Sequence, residues 1–157
     1  MIDGVMIKPL VRHPDERGFF EELIRTTDEF FAEGFGQLSR SRMHDGVVKA
    51  WHVHKTQVDW WYAANGQLKV ALYDTRDSSP TKGELMEMVI GEAGEDCIVK
   101  IPPGVAHGCK VLTGPADLVY ATSKIYNKDE EGRIPYDDPS IGYDWVQGKE
   151  ITNKNIT

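Results

Sequence analysis

The stretch that most constrains this chain runs from Gly46 to Gly66, GVVKAWHVHKTQVDWWYAANG. His52 and His54 stand two apart, so a strand would point both imidazoles to one face. Lys55-Thr56 permits a reversal, after which Gln57 and Asp59 share a face of the returning strand. Asn65-Gly66 has the composition of a tight hairpin turn, whose central residues need positive φ. One sheet face would then collect two imidazoles and a carboxylate, with a third imidazole, His107, available downstream. Strand alternation sends Trp61 inward with Asp59, and Trp60 and Tyr62 outward toward a second sheet or subunit.

The flanking sequence reads as more short strands. Met1 to Val11 is an opening strand, and Asp15-Glu16-Arg17-Gly18 a turn leading into a strand through Arg25. Thr26 with Glu29 suggests a capping box for a short helix over residues 28–33, ended by Gly34. Further strands are predicted over Gln37–Arg42, Leu68–Tyr73, Leu85–Ile90, Cys97–Ile101, Ala106–Leu112 and Ala116–Ser123. Short strands at this spacing with Gly and Pro turns predict an all-β jelly roll, with that one short helix near the N-terminus. From Asn127 on the chain reads as a polar loop anchored by Tyr143-Asp144-Trp145. The acidic run Asp129-Glu130-Glu131 is read as solvated, and His13 and His44 as surface residues.

A length of 157 residues suits one domain, 1–157, with a substantial core. The net charge of −7 excludes general binding to nucleic acid or to an anionic membrane, both of which need clustered Lys and Arg. No apolar run reaches transmembrane length, and the opening MIDGVMIKPL lacks a secretory h-region, so the expected location is cytoplasmic. Cys97 and Cys109 have neither metal spacing nor a disulfide framework, and read as small strand residues.

Two resemblances follow. Gly46, five residues, His52-x-His54, four residues, Asp59, six residues and Gly66 resembles the first metal motif of the cupin superfamily, with Asp in place of the usual Glu. Pro102-Pro103-Gly104-Val105-Ala106-His107 resembles its second. Along nearly its whole length the chain also resembles the dTDP-4-dehydrorhamnose 3,5-epimerase family. The matching blocks are residues 15–22 (DERGFFEE), 46–52 (GVVKAWH), 74–83 (DTRDSSPTKG), 101–108 (IPPGVAHG) and 136–139 (YDDP) before Trp145.

That resemblance implies a jelly-roll cupin, a homodimer, and a nucleotide-linked 4-keto sugar as substrate. It implies His52 as the base that removes a proton beside the ketone, Tyr126 as the acid on the opposite face, and His107 as the site's second histidine. Arg17, Phe20 and Glu22 match positions lining the nucleotide site, Lys49 a diphosphate contact, and Gln57 a flanking substrate position. The departures fall where chemistry occurs. The family's catalytic lysine corresponds to Asp59, its diphosphate arginine to Lys49, the glutamine two residues after the base to His54, and a histidine-orienting aspartate to Asn155. Taken together, His52, His54, Asp59 and His107 form an expected site for Zn, Fe, Mn, Ni or Co, with no organic cofactor. A cation there could replace the lysine's charge, although a metal-bound His52 could not act as base through the same nitrogen. Three readings stay open: an epimerase acting through an enolate, a metal-dependent cupin enzyme on another small molecule, and a catalytically silent sugar-nucleotide binder.

Overall fold

The computed structural model describes residues 1–147 and Ile151; Asn155 lies outside them. The strands are β1 (Met6–Pro9), β2 (His13–Asp15), β3 (Gly18–Phe20), β4 (Gln37–Met43), β5 (Val48–His54), β6 (Asp59–Asp74), β7 (Leu85–Gly91), β8 (Cys97–Ile101), β9 (Val105–Thr122) and β10 (Glu131–Arg133). Eight of them join one rolled sheet, while β2 and β3 form a separate two-stranded ribbon. Strands β6 and β9 run antiparallel beside each other from Asp59↔Thr122 to Asp74↔Val105. The free edge of β6 is taken by β8 at one end and β7 at the other. The free edge of β9 is taken by β4 and β5 in the same way. The result is the jelly roll that the strand pattern predicted.

Period-2 alternation assigns the side chains. Leu68, Val70 and Leu72 enter the interior of the roll with Trp61, Val99, Ile101, Val105, Cys109 and Val111. Ala71 points the other way, to a second core with Val48, Ala50, Trp51, Ala106, Trp145 and Ile151. Trp60 packs outside against Phe31, with ring centroids 4.5 Å apart, and against Val58 and Ile98. The opposite fates of Trp60 and Trp61 are those expected from alternation. Trp145 anchors the C-terminal segment, and its carbonyl accepts a bond from buried Lys110 at 2.6 Å.

Several local expectations are corrected. Asn65-Gly66 is no hairpin turn but lies inside β6, flanked by register shifts. Gly66 does keep φ at 72°, yet its role is close packing: a Cβ there would sit 2.6 Å from the Thr113 carbonyl of β9. Residues 106–112 and 116–123 likewise belong almost entirely to the single strand β9. Nor do β5 and β6 pair as a hairpin; β5 lies between β9 and β10, so the 55–58 link crosses over. The expected helix is one 3-10 turn over Glu29–Phe31. Its N-cap residue, Asp28, binds Lys8 Nζ and the Arg25 N–H instead of capping. The ladder after the Arg17 turn stops at Phe20, short of Arg25. The segment read as a polar loop contains β10, which pairs with β5.

One irregularity places the site. β5 shifts register between Lys49 and His52. Lys49 and His52 are three apart and would face opposite sides of a regular strand. The bulge turns both Ala50 and Trp51 into the outer core, so Lys49, His52 and His54 all face the opening of the roll. Gly108, across on β9, makes room for it. A Cβ at Gly108 would collide with Ala50 Cβ and lie 2.9 Å from the Lys49 carbonyl oxygen. Gly108→Ala should therefore destabilise the fold by about 2 kcal/mol, the usual scale of overpacking, read as a lower urea midpoint. An unchanged midpoint would mean that the bulge does not depend on this contact.

Candidate active site

The open end of the roll is a cavity of about 270 Å³. β5 contributes Lys49, His52 and His54, and the entry to β6 contributes Gln57, Asp59 and Trp61. His107 and Cys109 come from β9, Glu131 and Arg133 from β10, and Tyr126 from the loop between them.

The side chains fall into two groups. In the first, His52 Nδ1 lies 2.9 Å from Glu131 Oε1. Burial holds the His52 pKa below the ordinary imidazole value, partly opposed by Glu131. Burial pushes the Glu131 carboxyl up, but the His52 bond and the charge of Arg133 outweigh it, and the net shift is downward. The pair is thus a neutral imidazole beside an ionised carboxylate. With Nδ1–H donated to Glu131, the Nε2 lone pair is the one left for the cavity.

The second group is His54, Asp59 and His107, whose ligand-type atoms all lie within 4.8 Å of one another. His54 Nε2 is 3.7 Å from Asp59 Oδ1, and His107 Nε2 is 3.8 Å from Asp59 Oδ2. The carboxylate is fixed by two donors, Gln57 Nε2 at 2.8 Å and Trp61 Nε1 at 3.2 Å. His107 Nδ1 donates to the Val105 carbonyl at 2.9 Å, leaving the Nε2 lone pair toward Asp59. Burial drives the His107 pKa down to about 4 against the pull of Asp59, so this imidazole is neutral at pH 7.

Of the other residues singled out in the sequence, Lys49 lies on the cavity wall, its Nζ donating to Ser41 Oγ at 2.8 Å. Tyr126 stands at the rim, 62% exposed, its N–H donating to Gln37 Oε1. Arg17, Phe20 and Glu22 are not among the residues lining this cavity. Arg17 and Phe20 sit on the β2–β3 ribbon, with Arg17 bound to Asp15 at 2.5 Å, and Glu22 follows it, paired with Arg25. His52 stands with Glu131 rather than in the three-residue group. Glu131 and Arg133 were not anticipated. Their only signal is two charged residues flanking Gly132, too short a pattern to identify a strand.

A β-roll whose mouth holds a half-buried, neutral imidazole with a free nitrogen, rimmed by a phenol and an amine, has the groups that acid–base chemistry needs. The family model for dTDP-4-dehydrorhamnose 3,5-epimerase matches residues 1–156. The spore coat polysaccharide biosynthesis protein SpsL of Bacillus subtilis is 47% identical over 92% of this chain and 97% of its own. A dTDP-4-dehydrorhamnose 3,5-epimerase of Shigella flexneri is 32% identical over 98% and 88%. Among solved structures, a dTDP sugar isomerase of Desulfovibrio desulfuricans superposes with a TM-score of 0.87 at 29% identity, covering 96% of this chain and 95% of that one. A dTDP-6-deoxy-D-glucose-3,5-epimerase of Legionella pneumophila, solved with dTDP-4-keto-L-rhamnose, gives 0.84 at 30% identity, covering 96% and 82%. The chain belongs to the dTDP-4-dehydrorhamnose 3,5-epimerase family, and its class is that of a sugar-nucleotide epimerase of carbohydrate biosynthesis. Among the described residues no helix is long and apolar enough to cross a membrane.

The cavity wall also carries a thiol. Burial pushes Cys109 up to about 12 and Cys97 up to about 11, so both remain protonated at pH 8. A thiol reagent such as DTNB should label neither in the folded protein and both in denaturant. Rapid native labelling would show that the wall opens to solvent.

Proposed function

We propose that this chain epimerises a nucleoside-diphosphate-linked 4-keto-6-deoxysugar at a carbon beside the ketone. The reading rests on His52, a neutral imidazole with one nitrogen open to the cavity, at the position the family resemblance gives to the base. A hydrogen beside a ketone is acidic because its carbanion delocalises into an enolate. His52 Nε2 removes that proton from one face, and the Tyr126 hydroxyl, at the rim, returns one from the other. Lys49 supplies charge for the diphosphate as a single ammonium, without the paired donors of an arginine.

The enolate requires positive charge, and Asp59 stands where the family's lysine is expected. His54, Asp59 and His107 suit a divalent transition ion such as Zn, Fe, Mn, Ni or Co. Ligand atoms sharing such an ion lie roughly 3.0–3.5 Å apart, so the 3.7 and 3.8 Å separations need only a small contraction. The Val105 carbonyl already orients His107, as acceptors on the far ring nitrogen do for metal-bound imidazoles. When bound, the ion supplies Lewis-acid charge at the ketone oxygen. His52 stays outside this set, which removes the conflict between ligand and base.

A homodimer belongs to the same proposal. Phe19 and Phe20 on the β2–β3 ribbon are 53% and 63% exposed. Arg17, Phe20 and Glu22 can serve a nucleotide site if the ribbon of a second copy reaches this cavity. A cytoplasmic location is supported by the two free cysteines.

In deuterated water, a 4-keto-6-deoxysugar nucleotide should take up deuterium beside the ketone, and Tyr126→Phe should slow inversion more than uptake. Absence of uptake under any metal, with nucleotide binding intact, would overturn the epimerase reading in favour of a silent binder. Purified protein should carry about one divalent ion per chain. Asp59→Ala should lose it, and a chelator should stop uptake until metal is restored. Uptake indifferent to chelation would overturn the cation. Light scattering should give twice the chain mass, and Arg17→Ala should weaken thymidine diphosphate binding without changing chain fold.

A further inference from the structure

We infer that Glu131 is the positioning residue that sets the tautomer and orientation of His52, an inference that rests on the epimerase reading above. The sequence gives no such role to this carboxylate; the structure builds it in. β10 is three residues long and pairs with β5 in the register Glu131↔His54, Gly132↔Val53, Arg133↔His52. Gly132 lets the strands close, because a Cβ there would lie 2.8 Å from Val53 Cγ1. Glu131 and Arg133 therefore turn to the cavity on either side of Gly132, and Glu131 Oε1 meets His52 Nδ1 diagonally at 2.9 Å.

The carboxylate is itself held. Its side chain is 13% exposed, and its second oxygen faces Arg133 Nη2 at 3.4 Å. The segment before it is tied to the β5–β6 link. The Lys55 N–H and the Thr56 hydroxyl bind Glu130, Lys55 Nζ binds the Asp129 carbonyl, and the Asn127 side chain caps the Asp129 N–H. The Trp51 and Ile134 backbones exchange two hydrogen bonds just beyond the strand. A solvated acidic loop would show none of this framework.

The chemical consequence is specific. A neutral imidazole carries its proton on either nitrogen and can rotate about its Cβ–Cγ bond. An ionised acceptor at Nδ1 selects the Nδ1–H form, locks the ring, and directs the Nε2 lone pair into the cavity. When Nε2 takes the substrate proton, the ring becomes cationic against a carboxylate only 2.9 Å away. Substrate touches His52, and Glu131 acts through it.

The test uses full-length Glu131→Ala, Glu131→Gln and Glu131→Asp proteins. Two-bond 15N–1H NMR of the histidine rings, without substrate, should show the Nδ1–H tautomer for His52 in the native protein and a tautomer mixture in Glu131→Ala. Glu131→Gln should keep the tautomer, since an amide oxygen still accepts the bond. Deuterium uptake into a 4-keto-6-deoxysugar nucleotide should fall about 100-fold in Glu131→Ala and about 10-fold in Glu131→Gln, the scale of such orienting groups. Glu131→Asp should recover part of the loss. KM and nucleotide affinity should stay within about twofold. An unchanged tautomer in Glu131→Ala would overturn the inference even if the enzyme proves not to be an epimerase. A rate loss matched by an equal rise in KM would overturn it as well, because it would mark Glu131 as a binding or structural residue.

Discussion

Strand β9 takes β6 along its whole length on one edge, and β5 and β4 in succession on the other. That sharing curls the sheet and brings three strands to the same mouth. The approach of β5 is the most demanding contact, because the bulge at Ala50 and Trp51 packs against the bare backbone of Gly108. Without the bulge, Lys49 would turn from the cavity into the outer core while His52 and His54 stayed. With it, an ammonium, a candidate base and a candidate ligand face the same space. The aromatic cluster of Trp51, Tyr143 and Trp145 closes over the far side of the bulge, with Trp51 and Trp145 centroids 5.0 Å apart. Packing on one face of β5 thus holds the chemistry on the other.

The electrostatics of the mouth are unbalanced in an informative way. Asp59 is 3% exposed and has a tryptophan and an amide as donors, with two imidazoles just beyond hydrogen-bond distance. A buried carboxylate costs several kcal/mol unless paired with positive charge. Its imidazole neighbour His107 is held neutral by its own burial and directs a lone pair at the carboxylate. A lone pair facing that buried carboxylate is unfavourable unless a cation or proton sits between them. His52, by contrast, has its carboxylate partner on the far side of the ring and its other nitrogen open. In the proposed reaction the mouth would keep a place for positive charge, at His54, Asp59 and His107, apart from a place for proton removal, at His52.

Much of this was legible in the sequence where local rules act alone. Alternation separates Trp61 from Trp60, and the His52, His54, Asp59 and His107 spacing brings four site residues to one cavity. Local rules fail where distant chain decides. Asn65-Gly66 has hairpin chemistry, but β9 offers a partner for the whole of β6, and a register shift accommodates the glycine inside the strand. Pairing of β5 with β6 looked natural from a short link, yet β9 competes successfully for the β5 edge. Glu131 was hidden for a similar reason: its partner is 79 residues away in sequence, and three residues carry no periodicity. The β2–β3 ribbon escapes for a different reason, since Arg17 and Phe20 match nucleotide-site positions while lying outside this chain's own cavity.

The most direct measurement is a crystal structure of the protein with a nucleoside-diphosphate 4-keto-6-deoxysugar, or its slowly reacting analogue, in the cavity. The carbon beside the ketone should lie within about 3.5 Å of His52 Nε2, the distance of a near-attack arrangement. The ketone oxygen should turn toward His54, Asp59 and His107, and the diphosphate should lie near Lys49. A sugar bound outside the mouth of the roll, or a ketone turned away from His52 with that ring no longer bonded to Glu131, would contradict the proposed chemistry.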